Sequence, residues 1–313
     1  MTPATASEAS GEGRVVTGMR CGGVYAAAVQ VHLFDGTYEL FRAWFGAPPA
    51  QHAGVEVGAV RVYLRSLAGL LRGGHVTHGG VAFDHVIESF RNDLFPGYKT
   101  GEGVDPRLFA QFPLAERAAA ALGLQAWPLV ELEADDGIGT AAARAAADPR
   151  VEQVRIAAVD KDMCQCVIGT RVVCWDRWKD TVLDEAGVIA KHGVRPVSIP
   201  DWLALVGDTA DGIPGLPGWG KTSAAKVLME WTHLDRIPDD PAAWKVTVRG
   251  ADRLAAALRA QRDDALLYRT LATLRTDGTF ACDVDDLEWR GVDRPALTTL
   301  CDEIGLDIGI LRI

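Results

Sequence analysis

Residues 24–36, VYAAAVQVHLFDG, decide the fold. An apolar run from Val24 to Phe34 stops at Asp35-Gly36, and a short apolar run closed by a turn signal reads as a strand buried on both faces. Strands of that kind belong to parallel sheets covered by helices. The pattern then recurs. Residues 76–83 (VTHGGVAF) run up to Asp84, 127–133 (WPLVELE) end on Glu133, and 154–159 (VRIAAV) run up to Asp160. Between them, 57–72 (VGAVRVYLRSLAGLLR) and Leu114–Leu122 carry helical spacing, and 136–147 is an alanine-rich helix. The alternation predicts an α/β fold: a central, mostly parallel sheet flanked by helices. Ligands on such sheets gather at the carboxyl ends of the strands. Asp35, Asp84, Glu133 and Asp160 all stand there.

The 313 residues, 48% of them hydrophobic, suffice for a substantial core. No stretch approaches the roughly 20 apolar residues of a membrane span. Residues 1–14 (MTPATASEASGEGR) are small and polar, lack the apolar centre of a secretory signal, and read as a disordered tail. The expected location is therefore the cytoplasm. Six cysteines, at 21, 164, 166, 174, 282 and 301, show no zinc-like spacing and read as reduced, mostly buried thiols.

From about residue 199 the character changes. IPDWLALVGDTADGIPGLPGWGKTSAAKVLMEW reads as helix, turns, helix, with further helices following. The resulting division is a core over 15–198 and a helical region over 199–313. Residues 85–113 are long for a strand-to-helix connection, and read as a lid or an insertion.

Acidic residues cluster in four short stretches. In VDKDM, Asp160 and Asp162 stand two apart as a strand ends, so both point to one side. In EADD, Glu133 and Asp135 have the same spacing, while Asp135 and Asp136 begin a helix. In GDTAD, Asp208 and Asp211 share a face if helical. Any one pair has an ordinary alternative in helix capping or turn chemistry. Together they are a different matter, because so many carboxylates at one sheet edge repel unless cations neutralise them. All-oxygen donors favour Mg²⁺ or Mn²⁺ over zinc. Two such ions about 4 Å apart are a standard device for cutting a phosphodiester bond. The net charge of −10 fits this reading, since setting the nine carboxylates aside leaves 33 acidic residues against 32 basic.

Two motifs mislead. Residues 215–222 (GLPGWGKT) match a nucleotide phosphate loop, but that loop needs a buried strand before it, and GDTADGIP is polar and turn-forming. FDGT at 34–37 lacks the first aspartate of a phosphatase motif, which is Leu33 here. The ordered series FDGTYELFRAWF, VAFD, SFRNDLFPGYK, EADDGIGT, VDKDMCQCV and DWLALVGDTADGIPGLPGWGKTSA, over about residues 30–230, instead resembles the flap endonuclease family, including the 5′-nuclease domain of bacterial DNA polymerase I.

The resemblance implies a 5′-nuclease core, a helical arch or loop over 85–113 above the active site, and a helix–three-turn–helix module at about 202–230 on duplex DNA. It places Asp35, Asp84, Glu133, Asp135, Asp136, Asp160, Asp162, Asp208 and Asp211 on the family's metal carboxylates. Asp35, Asp84, Asp136 and Asp160 fall to a first ion, and Asp162, Asp208 and Asp211 lie around a second; two or more Mg²⁺ or Mn²⁺ ions are expected. Lys99 and Arg91 match the basic residues that hold the scissile phosphate. Phe41 matches an aromatic position that stacks on a nucleotide. Gly218, Gly220, Lys221, Thr222, Ser223 and Lys226 match the DNA-backbone contacts of the module, whose turn often holds K⁺ in this family. Three positions depart from the pattern: Glu102 in TGEG where an arginine is common, Gly212 where an asparagine is usual, and Glu39 beside the first metal position. Glu102 predicts an arch that grips weakly or stays open; a turn tolerates Gly212.

The expectation is a monomeric, stand-alone enzyme that cleaves DNA at 5′ ends and 5′ flaps in replication and repair. Two rival readings are a non-catalytic branched-DNA-binding protein and a ribonuclease acting on RNA/DNA hybrids.

Overall fold

The computed structural model describes residues 29–158 and 160–313. The tail at 1–14, Cys21, the beginning of the apolar run at Val24 and Val159 lie outside the described residues.

Chain order begins with β1 (Val29–Asp35), α1 (Gly36–Gly46), a small hairpin of β2 (Gln51–His52) and β3 (Val55–Glu56), α2 (Gly58–Arg72) and β4 (His78–Asp84). Then come α3 (Phe90–Leu94), α4 (Pro106–Phe109), α5 (Phe112–Ala121), β5 (Gln125–Leu129), α6 (Ala134–Ala147), β6 (Val151–Ala157), β7 (Val172–Asp176) and β8 (Thr181–Leu183). The helical remainder is α7 (Glu185–His192), α8 (Ile199–Val206), α9 (Lys221–Trp231), α10 (Ala251–Ala260), α11 (Arg262–Ala272) and α12 (Arg294–Glu303).

Six strands form one sheet in the order β5-β4-β1-β6-β7-β8, parallel except for the β7–β8 pair. β1 is central, and Val31, Leu33 and Phe34 are completely buried, as an apolar run covered on both faces requires. On one face pack α1, α2, α5 and α12, with Val60, Leu64, Leu67 and Leu71 forming the inward stripe of α2. The other face carries α6, with α8, α9, α10 and α11 beyond it. α6 is made of small residues because it lies close to the sheet: a Cβ on Gly137 would stand 2.6 Å from Leu129.

Several sequence expectations change here. Residues 130–133 leave the sheet, so Glu133 is the N-cap of α6 rather than a strand end. β6 stops at Ala157, and Asp162 opens a short 3₁₀ turn over Asp162–Cys166. Asp208 and Asp211 lie beyond the end of α8 in a turn pinned by paired backbone bonds between Asp208 and Ile213, not on a shared helix face. Of the expected helical arch or loop over 85–113, the structure has the loop: short α3 and α4 joined by turns, leading into α5, form a strap.

Candidate metal centre

Each carboxylate reaches the carboxyl edge of the sheet by a local device. Asp35 ends β1 and caps α1, accepting the Tyr38 N–H at 2.8 Å through Oδ1. Asp84 ends the neighbouring β4; its N–H donates to Thr37 Oγ1 at 2.8 Å, and its Oδ1 accepts from Ala134 N at 2.8 Å. That last bond ties the start of α6 to the strand and sets Asp135 on the first turn, facing the same cleft. Asp160 and Asp162 follow β6, and Asp211 comes from the turn after α8.

Five of the six are held above the ordinary carboxylate range. Burial, and then the charge of Asp84, hold the Asp35 carboxyl well above the ordinary range. Burial, and then Asp162 and Asp35, do the same for Asp135. Asp162 is pushed up to about 7 by burial together with Asp211 and Asp160. Asp84 and Asp211 are raised chiefly by burial, with Lys99 opposing. Asp135 Oδ1 is sealed from solvent and has no hydrogen-bond partner. An acceptor in that state asks for a cation or a donor. The donor set, carboxylate oxygen throughout, suits hard divalent ions. Among the described residues no three His, Cys, Asp or Glu side chains close into a ready-made cage; the carboxylates ring the cleft, as like charges do at close quarters.

Three of the nine expected carboxylates are committed elsewhere. Asp136, fully buried, accepts from Arg91 through both oxygens at 2.7 Å, from Glu133 N at 3.0 Å and from Arg275 N at 2.8 Å. With both oxygens so engaged, Asp136 is not among the carboxylates left free at the cleft in this structure. Glu133 accepts from Ser89 Oγ at 2.6 Å, Tyr98 OH at 3.2 Å and Lys99 Nζ at 2.8 Å, with Arg91 at 3.2 Å. Burial opposes its ionisation, but Lys99 and Arg91 outweigh burial and hold it below the ordinary range. Asp208, also buried, pairs with Lys161 at 2.6 Å.

Arg91 departs from expectation most. Its side chain is 1% exposed, and its remaining donors reach the carbonyls of Leu271 at 2.7 Å and Thr273 at 3.0 Å. All of its N–H groups are used inside the protein, so none is left to hold a phosphate. Lys99 stays at the cleft: Nζ lies 2.8 Å from Glu133 and 3.1 Å from Asp211, with the side chain 29% exposed. Its backbone N–H donates to Asp211 O at 3.1 Å. This approach requires Gly212, whose φ is +73° and whose Cβ would stand 2.1 Å from the carbonyl oxygen of Gly97. Sequence reasoning passed over Ser89, Tyr98 and Lys161; the first two sit inside the quoted SFRNDLFPGYK motif and the third between Asp160 and Asp162.

The proposed DNA contacts lie apart from the carboxylates. Lys221, Thr222 and Lys226 are exposed on α9 and line a groove of about 780 Å³ with Lys191 and His192. Gly218 (φ +82°) and Gly220 form the exposed turn before that helix. The Ser223 hydroxyl is engaged locally, donating to Gly220 O at 2.9 Å and accepting from Gly220 N at 3.1 Å. Phe41 is half-buried, its ring edge-on to Phe112 at 6.0 Å.

Residues 30–193 match the family model of the 5′-3′ exonuclease N-terminal, resolvase-like domain, and 194–295 that of the 5′-3′ exonuclease C-terminal SAM fold. The chain belongs to the 5′-3′ exonuclease family. Among curated relatives of this chain, DNA polymerase I of Bacillus caldotenax is 33% identical over 280 residues, covering 87% of this chain and 31% of that protein. DNA polymerase I of Pseudomonas aeruginosa is 36% identical over 282 residues, covering 87% and 30%. The chain thus spans about a third of the length of the curated relatives it matches. Two solved structures share the fold: a bacteriophage T5 flap endonuclease complex with DNA and metal ions (TM-score 0.62, 18% identity, 91% of this chain and 100% of that one) and the catalytic core of Rad2 with DNA substrate (TM-score 0.57, 13%, 88% and 87%). No helix among the described residues is long and apolar enough to cross a membrane.

Proposed function

We propose that this chain is a divalent-metal-dependent 5′-nuclease that hydrolyses DNA phosphodiester bonds at 5′ ends and at 5′ flaps, leaving a 5′-phosphate. The observation that carries the reading is the ring of Asp35, Asp84, Asp135, Asp160, Asp162 and Asp211 at the sheet edge, with Asp135 Oδ1 buried and unpartnered. These six would hold Mg²⁺ or Mn²⁺, two or more ions, and Asp208 would join them on release from Lys161. Bound there, such ions supply an activated water and charge neutralisation at the leaving oxygen. Lys99, fixed by Glu133 and Asp211 at the mouth of the cleft, places a cation where negative charge develops on the phosphate. Lys221, Thr222 and Lys226 bind the DNA backbone beyond the cut, positioning the duplex without reading its sequence. The turn of Gly215–Gly220 presents backbone groups suited to phosphate or to K⁺. A monomer in the cytoplasm, acting in replication and repair and on RNA strands in hybrids, is the setting this reading favours.

The test is cleavage of 5′-labelled and 3′-labelled flap DNA with EDTA, Mg²⁺ or Mn²⁺. Metal-dependent products from the 5′ strand are expected. Asp160→Ala should lose cleavage and still bind branched DNA; retained cleavage would overturn the assignment. Tight binding by the wild-type protein without cleavage in either metal would favour the branched-DNA-binding reading.

A further inference from the structure

Two clefts adjoin along α1, and the first reaches a carboxylate of the proposed metal centre. One, of about 630 Å³, runs from Asp160 to Trp178, Lys179 and Lys191. The other, of about 640 Å³, lies between α1 and α2 and is walled by Phe41, Phe45 and Tyr63. Tyr38, Arg42 and Trp178 line both, forming the ridge between them. Trp178 sits in the turn joining β7 and β8, which Asp176 sets by accepting the N–H groups of Trp178 and Lys179 at 3.1 Å each. It is 45% exposed among the described residues.

What lies beneath this tryptophan is unusual. The Arg177 guanidinium stands 4.1 Å from the ring centre. Glu39 grips that guanidinium through both oxygens at 2.6 and 2.5 Å, and Ser66 Oγ accepts from it at 2.8 Å. Arg177 and Glu39 side chains are only 8% and 3% exposed. Burying an ion pair costs desolvation that a hydrophobic pair would avoid. What this pair achieves is a fixed cation under an exposed indole. Arg42, itself exposed, lies 4.2 Å from the same ring centre. The rim thus combines one aromatic surface with the cations of Arg42, Lys179 and Lys191, beginning at a carboxylate of the proposed metal centre. A π-face flanked by positive charge matches an unpaired nucleotide in both base and phosphate.

We propose that Trp178 is a stacking platform for an unpaired nucleobase adjoining the scissile phosphate, with Arg42 moving off the indole to hold that nucleotide's phosphate. Glu39 and Arg177 are positioning residues that keep the indole in place. The inference rests on the nuclease reading for its substrate class.

The test is an abasic scan. Flap and gapped DNAs carrying one abasic site, stepped through the unpaired strand, are bound in EDTA and followed by fluorescence anisotropy. With the wild-type protein one position near the junction should weaken binding roughly 5- to 150-fold, the range that base–aromatic stacking spans. Trp178→Ala should weaken intact DNA by the same factor and erase the dependence on that position; Trp178→Phe should restore part of it. An identical scan for the wild type and Trp178→Ala overturns the proposal. Position-dependent binding by a wild-type protein that cleaves with neither Mg²⁺ nor Mn²⁺ would sink the nuclease reading and leave the platform standing.

Discussion

Arg91→Ala should unfold this protein's strap without touching its chemistry directly. Wild-type Arg91 makes two 2.7 Å bonds to Asp136 and two more to the carbonyls of Leu271 and Thr273, all inside the protein. Removing it leaves Asp136 fully buried, still held by the N–H groups of Glu133 and Arg275 but without a counter-charge. Breaking a buried pair from one side costs about 3–5 kcal/mol. The two orphaned carbonyls push the loss toward the upper end of that range. Urea unfolding followed by circular dichroism measures it, and Arg91→Met with Asp136→Asn should recover most of it, because the neutral pair leaves no stranded charge. An Arg91→Ala variant as stable as the wild type to within about 1 kcal/mol, yet dead in cleavage, would refute the reasoning and return Arg91 to the substrate.

Further outcomes follow from the same geometry. Burial, and then Arg155, depress His32 to about 4, with its Nδ1 unpartnered in β1. The unfolded chain therefore takes up this proton first, and stability present above about pH 6.5 is lost as pH falls toward 4; about 2 kcal/mol should be gone by pH 5, a slope that His32→Leu should flatten in unfolding curves at pH 7 and 5. Gly212→Asn must push back the Gly97 carbonyl, so melting temperature and cleavage should both fall; unchanged values would show that the contact is dispensable. Mg²⁺ at a hundred times its dissociation constant should stabilise the wild type by about 2.7 kcal/mol over EDTA, and Asp135→Asn should lose that gain in calorimetry.

The sheet was legible because its apolar runs stop on acidic residues, and a strand that ends on a carboxylate delivers it to one edge. Which carboxylates would face the cleft was not legible. Asp135 and Asp136 are chain neighbours, but successive helical residues point in different directions, and the partner that claims Asp136 lies 45 residues away at Arg91. Nothing local distinguishes an arginine bound for a phosphate from one bound for a buried carboxylate. Glu39 looked anomalous for the same reason: Arg177, its partner, is 138 residues further on. The spacing of Asp208 and Asp211 left helix face and turn open, because a three-residue separation fits either, and the structure shows the turn.

The flat strap has a topological consequence. A closed aperture above the carboxylates would oblige a strand to enter end-first, like thread through a needle. Here Arg91, Tyr98 and Lys99 pin the strap against α6 and against the turn at Asp211, and among the described residues no tall arch stands over the acids. If the proposed nuclease reading holds, circular single-stranded DNA with a 5′ flap-like branch should be cut as readily as its linear counterpart, and cleavage confined to free 5′ ends would refute an open strap.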